Sequence, residues 1–145
     1  MRSLIQLVTH AEVRVDEKII GAIETGILAL IGIEKTDTEK EVEKLFNKII
    51  NYRIFPDSEG KTNLSLKDIQ GELLLVPQFT LVAETSKGMR PGFSTGMNPQ
   101  EGKRMFEYFV NYANNHYASI ASGSFGAYMQ VSLCNDGPMT FMLQV

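Results

Sequence analysis

A chain of 145 residues is long enough to bury a core without disulfides, and its single cysteine, Cys134, has no partner for an internal bridge. Seventeen acidic residues against 14 basic ones leave a net charge of −3, which excludes a general nucleic-acid coat and confines any RNA contact to a local basic patch. No basic-then-apolar leader precedes Ser3 and no apolar run approaches the ~18 residues of a membrane span, so one cytoplasmic domain over 1–145 is expected.

In chain order, residues 3–9 alternate loosely and predict a strand. Residues 12–16 and 18–23 predict a hairpin with Val13 and Val15 on one face and Glu12 and Arg14 on the other. The run GILALIGI (26–33) predicts a central strand. Thr38 and Glu41 form a capping box, and Val42, Leu45, Phe46, Ile49 and Ile50 recur at helical spacing up to a stop near Tyr52. Residues 57–60 read as a turn, and 61–70 carry no clear pattern.

The stretch GELLLVPQFTLVAE (71–84) begins as an apolar run, Leu73 to Val76, of a strand covered on both faces. It then breaks its own rule with Pro77, Gln78 and Thr80. Proline cannot donate to a ladder and marks an edge, a bulge or the end of pairing. This break is a candidate site; an ordinary strand leaving the core, with Gln78 and Thr80 facing water, fits the same residues. Residues 86–98 (SKGMRPGFSTGMN) predict a functional or mobile loop. Its Lys87 and Arg90, with Lys103 and Arg104 further on, are the best candidate RNA contact, and a solvated loop explains those charges equally well. Asn98, Pro99 and Glu101 then start a helix striped by Met105, Phe106, Phe109, Val110 and Ala113. Residues 124–145 read as two strands joined by a tight turn at Asn-Asp-Gly-Pro. The expected class is α+β: a largely antiparallel, barrel-like sheet carrying two main helices.

The usual catalytic inventories are nearly empty. His10, His116 and Cys134 lack metal-ligand spacing, no phosphate loop is present, and neither Cys134 nor Thr80 has a base nearby in sequence. No metal and no cofactor are expected. Asn135-Asp136-Gly137-Pro138-Met139-Thr140 is a good turn, and its Gly-Pro bond is trans by default, since only about 5–6% of X-Pro bonds in folded proteins are cis.

Together the two odd stretches resemble the paired signatures of the D-aminoacyl-tRNA deacylases. The family's SQFTL appears as Pro77-Gln78-Phe79-Thr80-Leu81, and its NxGPxT is matched by Asn135, Gly137, Pro138 and Thr140. The opening MRSLIQLVTHAEVRVD, the NYRIFPDSEGKTNLS segment, the KGMRPGFS loop and the closing FGAYMQVSLCNDGP also resemble the family's equivalents, in order and at similar spacing.

The resemblance implies a homodimer whose active sites form at the subunit interface. The first motif would line one subunit's pocket, and Gly137-Pro138, cis in this family, would reach in from the other as a backbone filter that leaves no room for an L side chain. It implies hydrolysis of the ester joining a D-amino acid, or misattached glycine, to the terminal ribose of tRNA. Phe79's N–H and neighbouring main-chain groups would position the ester carbonyl with help from the substrate's own ribose hydroxyl, Gln78 and Thr80 would position rather than attack, and Phe125 and Met129 would shape the pocket. Pro77 departs from the family's serine, deleting a hydroxyl and an N–H. Two other readings stand beside this one: an idle RNA-binding module on the same fold, and a hydrolase of another small acyl ester using Thr80 or Cys134.

Overall fold

The computed structural model describes all 145 residues. β1 (Arg2–Val15) is one unbroken strand through both predicted opening segments, and it turns into β2 (Lys18–Ile23) over Asp16 and Glu17, with φ of 46° and 64°. Two left-handed residues in a two-residue loop match the twist of the strands they join. β3 (Gly26–Gly32) follows, then α1 (Glu39–Asn51) with the Thr38–Glu41 capping box formed in both directions. A small hairpin of β4 (Phe55–Pro56) and β5 (Thr62–Leu64) leads to a single turn of helix, α2 (Leu66–Ile69). β6 (Glu72–Pro77), a 3-10 turn (Phe79–Val82), α3 (Pro99–His116), β7 (Ile120–Ser122) and β8 (Gln130–Gln144) complete the chain.

The main sheet runs β2-β1-β3-β6-β7, with β8 along β1. It is mixed, which corrects the expectation of a largely antiparallel sheet. β3 pairs parallel to β6, and β6 parallel to β7. Parallel neighbours need a long crossover, and α1 and α3 each lie within one. The ends of the sheet approach until it nearly closes: a Cβ on Gly21 of β2 would stand 2.7 Å from the carbonyl oxygen of Ser122 in β7.

β6 explains its own continuous hydrophobicity. Leu73 and Leu75 join the larger core beneath the helices, whereas Leu74 and Val76 join a second core with Val8, Val13 and Leu28. Alternate side chains point to opposite faces, so a strand covered on both sides must be apolar throughout. Phe46 of α1 meets Phe109 and Tyr112 of α3 edge-on, with centroids 6.4 and 5.5 Å away, tying the helices together. No helix is long and apolar enough to cross a membrane.

The C-terminal segment is the second correction. Residues 130–144 do not fold back as a hairpin; both halves pair antiparallel with β1. Asn135 lies opposite Val8 and Thr140 opposite Gln6, so residues 136–139 bulge out of a continuous ladder. A 14-residue β1 is long enough to serve both halves, which removes any need for them to pair with each other.

Candidate active site

Pro77 ends β6. The next residue, Gln78, supplies the ladder bond to β3, its N–H donating to Ile31 O at 2.8 Å. On the other side Leu75 O accepts the Gly123 N–H at 2.8 Å, and the next bond of that ladder would need an N–H at residue 77, so the proline ends the pairing there. The chain then tightens into the 3-10 turn. Phe79 and Thr80 open that turn, where no carbonyl within the turn can accept their N–H groups, and the Gln78 side chain does not cap them. It donates instead to the Thr80 hydroxyl oxygen. Phe79 is left 62% exposed, its ring 5.1 Å from that of Phe93.

Those rings form one wall of a cavity of about 590 Å³. Pro77, Phe125 and Gly126 also line it, and Met97, Asn98 and Pro99 bring in the start of α3. Phe125 is held from behind, its ring lying against the backbone of Gly102 in α3 and 6.4 Å from Phe106. Met129 supports the same loop, its sulfur accepting the Ser124 N–H at 3.3 Å. Apolar walls with few polar groups are typical of small-ligand sites. The only charged residue on the rim is Lys35, and it makes no ion pair.

The second motif does not join this cavity within its own chain. Asp136, Gly137 and Pro138 stand exposed at the tip of the β8 bulge, and the Gly137–Pro138 bond is cis, against the trans default. Side chains lock the bulge at its base. The Asn135 amide donates to Thr140 Oγ1 at 2.9 Å and accepts the Met139 N–H at 3.1 Å, while Gln6 donates to Thr140 Oγ1 at 3.2 Å. Gly137 sits at φ 125°, where a Cβ would fall 2.5 Å from Met139 Cγ, so glycine is required.

Lys87 and Arg90 lie on an exposed loop, outside the cavity lining and free of ion pairs. Paired N–H···O bonds between Glu84 and Gly92, 2.8 and 2.9 Å long, close the loop at its base. The Ser86 hydroxyl and N–H hold the Glu84 carboxyl below its usual range. His10 stands opposite Cys134 in the β1–β8 ladder, a pairing the sequence did not reveal, but its ring bonds the Thr9 hydroxyl and neither residue lines the cavity. Sequence reasoning missed Lys35, Phe93 and Gln6. An aromatic in a Gly/Pro/Ser-rich loop was the one available signal, at Phe93; the other two are assembled only by the fold.

A nearly closed mixed sheet carrying helices, with a partly aromatic cavity beyond the end of β6, makes up the fold and its candidate site. The family model described as D-Tyr-tRNA(Tyr) deacylase matches residues 4–144, and the chain belongs to that family. A D-aminoacyl-tRNA deacylase of Pseudoalteromonas translucida is 55% identical over 145 residues, covering all of both chains. One from Pseudomonas putida is 52% identical over the same span. Among solved structures, a c-Myc DNA unwinding element binding protein superposes with a TM-score of 0.95 at 40% identity, covering 100% of this chain and 99% of that one. A probable eukaryotic D-amino acid tRNA deacylase, 16% identical, shares the fold with a TM-score of 0.84 over 99% and 98% of the two chains.

Proposed function

We infer that the protein hydrolyses the ester bond of D-aminoacyl-tRNA, releasing the D-amino acid and free tRNA. The observation that carries this reading is the full-length match to the deacylase family together with an open aromatic cavity built around Phe79. The Phe79–Phe93 wall and Phe125 are suited to an aminoacylated adenosine, since aromatic faces stack on bases. Lys35 on the rim is suited to the adjoining phosphate.

Hydrolysis needs water to attack the ester carbonyl, charge to collect on its oxygen, and the ribose oxygen to leave with a proton. The N–H groups of Phe79 and Thr80 are the donors we assign to that oxygen, because the turn leaves them without an internal acceptor. The neighbouring ribose hydroxyl is the polar group nearest the reacting bond in such a substrate, and we assign proton movement to it. Thr80 takes a positioning role: its oxygen already accepts from Gln78, and no titratable side chain contacts it. Pro77 lines the cavity without contributing a donor.

We further propose that two copies pair so that the Gly137-Pro138 tip of each enters the other's cavity. The exposed position of the tip, away from its own cavity, supports this. Two backbone carbonyls beside the α-carbon would hold the amino group and exclude any L side chain. A backbone filter disregards side-chain identity on the D side, and it would admit glycine. Incubation with D-Tyr-tRNA is expected to release tyrosine catalytically. Stoichiometric binding without release would instead favour the idle RNA-binding reading.

A further inference from the structure

A second cavity, of about 440 Å³, lies beside the first, between α3 and the segment from Ser122 to Phe125. Phe125 lines both and separates them. Pro99 borders the first cavity and Lys103 the second, four residues and therefore ~6 Å apart along α3, a gap one phosphodiester can bridge. The lining of the second cavity is mixed, with Phe106 and Val110 beside its polar residues, whereas that of the first is mainly apolar. Its polar lining residues are Lys103, Glu107, Asn111, Ser122 and Ser124, and Phe125 is shared with the first cavity. Lys103 and Glu107 are 3.9 Å apart with both side chains mostly exposed, so their mutual attraction holds neither in place.

We propose that this cavity binds the nucleotide immediately 5′ to the terminal adenosine and that it selects cytidine. The inference rests on the deacylase reading, which places the adenosine in the first cavity. Cytosine presents an exocyclic amine, for which a carboxylate is the matching acceptor, and Glu107 supplies one. Asn111 can donate to the ring acceptors beside that amine, Phe125 stacks on the base, and Lys103 meets the phosphate as a point charge. Uracil carries a carbonyl in place of the amine and would set two acceptors against each other at Glu107.

The test uses D-tyrosyl esters of three minimal substrates: adenosine, the dinucleotide CpA and the dinucleotide UpA. For the wild-type protein, kcat/KM on the CpA ester is expected to exceed that on the adenosine and UpA esters by ~tenfold. Glu107→Gln, whose amide can donate or accept, is expected to bring the CpA and UpA esters to parity; Asn111→Leu is expected to remove the CpA gain. A helix-packing role for Glu107 would not change the C-to-U ratio. Equal rates on all three esters with wild type, or a C preference that survives Glu107→Gln, would overturn the proposal. Failure to hydrolyse even the adenosine ester, with D-Tyr-tRNA also untouched, would instead remove the deacylase reading and this inference with it.

Discussion

Gln78, Phe79 and Thr80 divide the work of the first motif between side chain and backbone. Gln78 spends its N–H on β3 and its amide on Thr80, leaving the turn's opening N–H groups as the chemical resource. The account therefore expects Thr80→Ser to retain near-normal turnover of D-Tyr-tRNA. Thr80→Ala should lose ~10–100-fold in kcat/KM, the scale of a misplaced positioning group. A loss approaching ~10⁶-fold, as when an attacking group is deleted, would make Thr80 the nucleophile. Both motifs were legible in the sequence because each violates a local rule: polar residues and proline following a buried apolar run, and Gly-Pro between two strand-forming runs. Lys35 and Phe93 break no local rule, and only the packing of their loops against β6 and α3 brings them to the cavity.

Elements defined by short-range chemistry were read well. The capping box of α1 is an instance: Thr38 and Glu41 satisfy each other's groups within four residues, and Asn98 and Pro99 start α3 as expected. Hydrogen bonds from Thr38 lower the Glu41 pKa from the ordinary 4.5 to about 2. A depressed carboxylate contributes stability that is fully present above 4.5 and is lost as pH falls from there through about 2. Thermal unfolding should show Glu41→Gln less stable than wild type at pH 7, with the difference shrinking between pH 4.5 and 2. A difference constant across that window would mean that the capping bonds do not depend on the ionised carboxylate. Thr38→Ala is expected to cost ~1 kcal/mol.

The two corrections to the sheet concern long-range pairing. Asn-Asp-Gly-Pro is equally good chemistry for a hairpin and for a bulge, and the choice is made by β1, more than 120 residues earlier in the chain. The parallel strands carried a sequence signal that was passed over, since apolar strands alternated with two capped helices, the pattern of a crossover connection. β7, at three residues, is too short to show any period. In the unassigned segment 61–70, Ser65 and Asp68 form a capping box for α2 that the sequence spacing could have revealed.

For the whole molecule, the second motif lies outside the cavity of its own chain, and the proposed pairing of two chains is what would bring the motifs together. Complementation can test this directly. Phe79→Ala removes the cavity wall, while Gly137→Ala forces a side chain into a left-handed position 2.5 Å from Met139 Cγ and displaces the tip. Each variant alone is expected to be nearly inactive on D-Tyr-tRNA. After subunit exchange between equal amounts, half the dimers are mixed and each mixed dimer has one intact site, so about a quarter of wild-type activity should return. No recovery, with exchange verified by mass, would place the whole site within one subunit.

The central claim is chiral refusal, because an enzyme of this kind works among a large excess of L-aminoacyl-tRNA. The most direct measurement is the rate of tyrosine release from D-Tyr-tRNA and from L-Tyr-tRNA at matched protein concentrations. The account predicts rapid loss of the D ester with the L ester decaying at its spontaneous rate. Comparable loss of both would show that the Gly137-Pro138 tip does not guard the cavity.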